Sequence, residues 1–208
     1  MEEYLLPLKL ASGEFIEKKS RFIGTVAPVK SEQEALDFLR LIRSEYRDAS
    51  HNVYAYHIRK DALCRHSDDG EPSGTGGMPL LEVFTQRKVF DFCCVATRYF
   101  GGVLLGAGGL TRAYARCGVE ALAVSGLAAM RAFSLGRFIC DYARYDILRR
   151  VLEDSTAEIG EVLFTDRVEV NFCIAASGWT PLCEKLTALS SGSVRPERLG
   201  ESMRPVAV

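Results

Sequence analysis

The chain has 208 residues, 48% of them hydrophobic and 25% charged, proportions that exclude collagen-like, low-complexity and wholly disordered polypeptides. Its 26 Lys and Arg stand against 27 Asp and Glu, a net charge of -1, which excludes a polycation that coats nucleic acid or anionic lipid by bulk charge. Any anion site must therefore be local.

The first nine residues, Met1 to Lys9, carry Glu2 and Glu3 and only a very short apolar stretch, so no signal peptide is expected there. Phe15 to Val29 reads as extended chain, with two pieces paired around Lys18 to Arg21 as one arrangement, closed by Pro28. Ser31 followed by Glu34 is a capping box. Beyond it Ala35, Phe38, Leu39, Ile42 and Tyr46 recur at helical spacing and predict an amphipathic helix to about Arg47. Asn52 to Arg59 alternates as a strand, with Val53, Ala55 and His57 on one face and Tyr54, Tyr56 and Ile58 on the other. Residues 60–77 are polar, show no period and read as one long loop, a class of segment that is often functional. A short helix is expected over Met78 to Gln86 and a buried strand over Phe92 to Phe100. Gly101, Gly102, Gly106, Gly108 and Gly109 then form a glycine-rich turn. A helix follows, with Leu110, Tyr114, Cys117, Ala121 and Val124 on its core face and its end at Gly126.

After Leu127 the pattern restarts. A strand is expected over Met130 to Cys140, a helix over Tyr142 to Ser155 and a strand over Glu158 to Phe164. A tight turn at Asp166–Arg167 leads to an alternating strand through Val168, Val170, Phe172 and Ile174. A helix over Thr180 to Leu189 and a last short strand over Gly192 to Leu199 complete the order βαββαβ, the ferredoxin-like arrangement. The reading is thus α+β with two domains, 1–127 and 128–208, both close to charge neutrality.

Seven cysteines are an odd number and no Cys-x-x-Cys pair occurs, which excludes a complete disulfide framework, a zinc ribbon and a thioredoxin motif. Five of them lie in strongly apolar runs and read as small buried hydrophobes; the adjacent Cys93 and Cys94 point to opposite faces of their strand. With no stretch long enough to span a membrane, the expected compartment is the reducing cytoplasm.

Three places could carry chemistry. The first is the strand–glycine turn–helix from Cys94 to Arg116. Glycines let backbone N–H groups approach a ligand, and the helix start offers unpaired donors, with Arg98 before the turn and Arg112 and Arg116 after it. Thr111 breaks the dinucleotide fingerprint and Ala107 stands where a P-loop needs Lys, so no nucleotide cofactor is expected; a purely structural turn is the other reading. The second is the loop Asp68 to Gly77, whose Asp68, Asp69 and Glu71 near His66 suit oxygen-ligated metals in type but not in spacing, and which also reads as solvated turns; no metal is expected. The third is histidine chemistry: His51 at a strand start is either a site or a turn residue, and His57 reads as a satisfied strand residue. Arg98, Tyr99 and Phe100 add the ingredients of base stacking, with Arg98 and Phe100 on one face and Tyr99 on the other.

Taken together, Ala49-Ser50-His51-Asn52, then Asp68-Asp69-Gly70-Glu71-Pro72-Ser73-Gly74-Thr75, then Arg98-Tyr99-Phe100-Gly101-Gly102 and Leu105 to Tyr114 closely resemble the YigZ/IMPACT family over about residues 15–125. The remainder resembles the small second domain of the bacterial members; Gly76 stands where that pattern commonly has Ala. The resemblance implies a first domain like domain IV of elongation factor G and a ferredoxin-like second domain. It also implies a translation-associated binding role toward the ribosome, structured RNA or a translation factor. The binding residues expected on this basis are His51, Asp68, Asp69, Glu71, Ser73, Thr75, Arg98, Tyr99, Gly101, Gly102, Gly106, Gly108, Gly109 and Arg112. The alternative is a hydrolase of unknown substrate, peptidase-like, using the His/Asp/Glu loop against the glycine turn with His51 or an acid as base. Monomer and weak dimer are both open.

Overall fold

The computed structural model describes residues 3–208; Met1 and Glu2, the start of the segment read above for a signal peptide, lie outside the described residues. The fold is α+β with two five-stranded sheets. Two compact units result, Tyr4–Ala129 together with Pro205–Val208, and a second built on Met130–Arg204.

The first unit holds an antiparallel sheet in the order β2-β3-β6-β4-β5. Strands β2 (Ala11–Glu17) and β3 (Ser20–Pro28) form a hairpin whose turn is Lys18–Lys19, in register from Ala11↔Val26 to Glu17↔Ser20. Strand β6 (Phe92–Tyr99) is central, paired to β3 and to β4 (His51–Ile58), and is buried on both faces up to Arg98. Successive residues of β6 therefore serve two cores. Cys94 and Ala96 join Phe22, Phe84 and Tyr114 on one face, while Cys93 and Val95 join Phe38, Leu39 and Ile42 on the other. Helix α1 (Glu32–Glu45) covers the second face. Ser31 Oγ accepts the Glu34 N–H, and Glu34 returns its bond to the Lys30 N–H rather than to Ser31. Helices α2 (Gly77–Thr85) and α3 (Ala107–Ser125) cover the first face. Gly24 allows the closest approach, because a Cβ there would lie 2.3 Å from the Cys117 carbonyl oxygen.

The second unit follows the βαββαβ order with β7 (Leu127–Cys140), α4 (Tyr142–Asp154), β8 (Glu158–Phe164), β9 (Val168–Ala175), α5 (Trp179–Leu189) and β10 (Glu197–Ala207). Strand β9 lies between β7 and β8, both antiparallel to it, and β10 pairs with β7. Phe138, Leu148, Leu152, Phe172 and Leu186 form its core.

Four expectations are corrected. Residues 60–77 are not one loop, because Leu63–Ser67 forms strand β5, paired to β4 from Tyr54↔Ser67 to Ile58↔Leu63. It is an edge strand with Arg65 and His66 exposed, so it carries no apolar period. The short strand β1 (Tyr4–Pro7) had no sequence signal. The last strand spans Glu197–Ala207 instead of Gly192 to Leu199, because its polar residues hide the alternation. Val124 is 53% exposed and lies off the core face of α3. Cys93, Cys94, Cys117, Cys140 and Cys173 are buried free thiols, as their apolar surroundings imply.

His57 is not the satisfied strand residue that the sequence predicts. Its Nδ1 is buried without a hydrogen-bond partner, and the ring meets Phe90 edge-on at 4.9 Å. Burial lowers its pKa below the ordinary histidine value, with Asp91 opposing only in part. The folded chain therefore binds this proton less readily than the unfolded chain, and stability falls as pH drops through that value. Urea midpoints are expected to decrease between about pH 7 and pH 5, with His57→Gln removing part of the decrease.

Candidate functional site

The site is organised around a charge pair inside the first unit. Arg98, near the end of β6, is 4% exposed, and its Nη1 donates to Glu71 Oε1 at 2.6 Å. Tyr114 of α3 donates its hydroxyl to the same oxygen at 2.6 Å. Arg98 Nη2 reaches Ser20 Oγ at 3.3 Å, which also accepts the Gly101 N–H at 3.2 Å. Four segments thus meet at one buried carboxylate and its counterion. The Arg98 guanidinium also lies 5.4 Å from the Phe22 ring and 5.3 Å from the Phe100 ring. Burial and the bond to Glu71 push the Tyr114 phenol well above its ordinary range, so it stays protonated and donates to Glu71.

Residues 68–76 are folded tightly by their acids. Asp68 Oδ1 accepts the N–H groups of Gly76 and Gly77, both at 2.9 Å, and Oδ2 accepts that of Gly74 at 2.8 Å. Burial raises the Asp68 carboxyl, but these three donors outweigh it and hold the pKa below the usual carboxylate range. Asp69 accepts the Asn52 N–H at 2.7 Å and pairs with Arg43 at 2.9 Å. Thr75 is buried and donates to the Pro72 carbonyl at 2.7 Å, while Ser73 is exposed. Asp68 and Thr75 therefore spend their polar atoms on the loop itself, and the Asp69 carboxylate ties the loop to β4 and α1. Among the described residues no group of three or more His, Cys, Asp and Glu could hold a metal ion.

His51 is different. Its Nδ1 lies 2.8 Å from the Asp69 carbonyl oxygen, which can only accept, so Nδ1 carries the proton. In the neutral ring Nε2 then presents a lone pair, 3.8 Å from Glu71 Oε1. His51, Glu71 and Pro72 line a cleft of about 440 Å³ together with Phe100, Leu104 and the start of α3 at Gly106–Ala107. The glycine turn has two distinct geometric demands. A Cβ at Gly101 would lie 2.0 Å from the Lys19 carbonyl oxygen, and Gly106, at φ 75°, takes a conformation that favours glycine. Gly106 caps α3 without a side chain, leaving the N–H groups of the first turn, including those of Gly108 and Gly109, without a side-chain partner. Gly102, at φ 79°, is exposed in the same turn.

Other expected residues separate from this cleft. Tyr99 turns to the opposite face and donates to Asp48 at 2.9 Å. Arg112 lines a second groove with Phe15, Lys18 and Arg116, and only Leu105 belongs to both. Sequence reasoning missed Tyr114 as a polar member of the site. Its signal was a hydroxyl on an otherwise apolar helix face, which demands a buried partner.

Comparison with known proteins gives two family matches: the Impact N-terminal domain over residues 18–122 and a domain of unknown function, DUF1949, over residues 138–193. The chain is 35% identical over 193 residues to the IMPACT family member YvyE of Bacillus subtilis, covering 92% of this chain and 89% of that one. It is 30% identical over 200 residues to the IMPACT family member YigZ of Escherichia coli, covering 94% and 97%. Protein IMPACT of Mus musculus is 34% identical over 97 residues, 43% of this chain and 30% of that one. A solved crystal structure described as that of a hypothetical protein matches with a TM-score of 0.60 at 28% identity, covering 96% and 98% of the two chains.

Removing one partner of the buried pair leaves an uncompensated charge. Glu71→Ala is expected to cost about 3–5 kcal/mol in chemical denaturation. Tyr114→Phe removes one charge-assisted bond and is expected to cost about 1.5–3 kcal/mol.

Proposed function

The chain belongs to the IMPACT family, and from that membership we propose that it is a cytoplasmic, translation-associated binding protein that meets the ribosome, a structured RNA or a translation factor through the cleft of its first unit. The observation that carries the reading is the cleft's composition. Phe100 is 47% exposed and Leu104 81% exposed, apolar surface left open beside the uncapped start of α3 and the His51 ring. Aromatic faces accept stacked bases, and unpaired N–H groups at a helix start accept phosphate or carboxylate oxygens. Arg98 supports this surface from within and is not available to a ligand while Glu71 holds it. Seven free cysteines agree with a reducing compartment, and no helix among the described residues is long and apolar enough to cross a membrane.

His51 favours a second reading. An imidazole held in one tautomer with Nε2 toward a cleft has the form of a general base, and a hydrolase of unknown, peptide-like substrate would use it to activate water. Glu71 Oε1 is already occupied by Arg98 and Tyr114, and Ser50, the one hydroxyl lining the cleft, accepts the Phe100 N–H at 3.0 Å.

The two readings separate in one comparison. Phe100→Ala combined with Leu104→Ala removes exposed side chains, so the melting temperature is expected to stay unchanged while ribosome co-sedimentation at low salt weakens by about 1–3 kcal/mol per lost stacking contact. Unchanged pelleting overturns the binding reading. A peptidase activity that disappears in His51→Ala supports the hydrolase.

A further inference from the structure

Resting on the reading of the cleft as an RNA-facing surface, we infer that the adjoining groove of Lys18, Arg112 and Arg116 is its phosphate track, so that the ligand is a single-stranded stretch of RNA. One base would stack on Phe100 while the backbone continues past Leu105 along the three cations.

The groove has a volume of about 250 Å³ and lies between the β2–β3 turn and the first turns of α3, with Phe15 and Leu105 in its apolar wall. Leu105 lines the cleft as well, so the two spaces share a wall. On this unit several surface arginines have acid partners: Arg21 with Glu14 at 2.6 Å, Arg40 with Asp37 at 2.5 Å and Arg43 with Asp69 at 2.9 Å. Among the described residues Lys18 and Arg112 have none. Arg116 pairs with Glu120 at 3.2 Å and lies flat over Phe15 at 4.1 Å. Glu17 is the one acid lining the groove, so three cations there leave a local positive surplus on a chain whose net charge is -1.

The turn supplies an independent observation. Lys18 and Lys19 occupy both central positions of a two-residue hairpin at φ 43° and 68°, the left-handed region in which such turns favour Asn-Gly. Lysine there costs backbone strain that Asn would relieve, so at Lys18 a binding role and a purely structural one predict different outcomes on substitution. Single strands suit the pair of spaces because their bases are free to leave the stack while their phosphates stay in reach of the cations.

The test is fluorescence anisotropy of the full chain against a labelled single-stranded pyrimidine RNA of about 10 nucleotides, across about 50–200 mM salt. Three phosphate contacts predict a slope of log K on log salt of about −2, a loss of about 16-fold over that range. Lys18→Asn with Arg112→Ala is expected to bring the slope to about −0.7. Lys18→Asn alone is expected to raise the melting temperature while weakening RNA, a combination that a purely structural turn does not produce. Phe100→Ala is expected to weaken binding at every salt concentration and leave the slope unchanged. An unchanged slope in the double variant, with Phe100→Ala still weakening binding, overturns the groove and leaves the cleft reading standing. A changed slope with Phe100→Ala silent overturns the joint site. No RNA binding by the unsubstituted chain, or preference for a poly-glutamate peptide over the RNA, overturns the inference outright.

Discussion

The buried contact between Arg98 and Glu71 is the constraint on which the cleft depends. Two opposite charges taken out of water gain little net stability from each other, because desolvation consumes most of their attraction. What such a pair does supply is position. Glu71 Oε1 receives Arg98 from β6 and Tyr114 from α3, and Arg98 also reaches Ser20 at the start of β3. Any displacement of residues 68–76 would strand one of these groups. Asp68 fixes the far end of the same segment through three backbone donors. Pro72 thereby lines one cleft with His51 and the start of α3, although the segment 68–76 has no regular secondary structure of its own.

Periodicity makes much of the scaffold legible in the sequence. The hairpin around Lys18, the capped helix after Ser31, the two-faced strand at Phe92 and the βαββαβ order all carry apolar patterns at their native spacing. Strand β5 is hidden and β10 shifted in bounds because both are polar and half exposed, and β1 is hidden because four residues carry too little pattern. In the site, His51, Glu71 and the glycine turn were legible as residues but their pairing was not. The link from Arg98 to Glu71 joins a strand end to an irregular segment, and no local spacing encodes it. Arg112 was grouped with Arg98 because both flank the turn. Helical geometry separates them, since Arg112 lies about 200° around the axis from Tyr114, whose hydroxyl meets the carboxylate that Arg98 holds.

Net charge proves a blunt descriptor for such a chain. Most surface arginines described are neutralised by a neighbouring acid, and Arg98 is neutralised inside the protein. The field a ligand would meet is set locally, by the cations without an acid partner and by where the fold puts them; Lys18 and Arg112 are two of these, beside the β2–β3 turn and on α3.

Residues Pro205–Val208 belong with the unit that begins at Tyr4, and the Val208 N–H donates to the Leu127 carbonyl at 3.1 Å. The chain segment made early is thus completed by one made much later. During vectorial synthesis the first unit has to wait, with part of its hydrogen bonding open, until the intervening sequence has been translated, so its maturation is tied in time to that of the second unit.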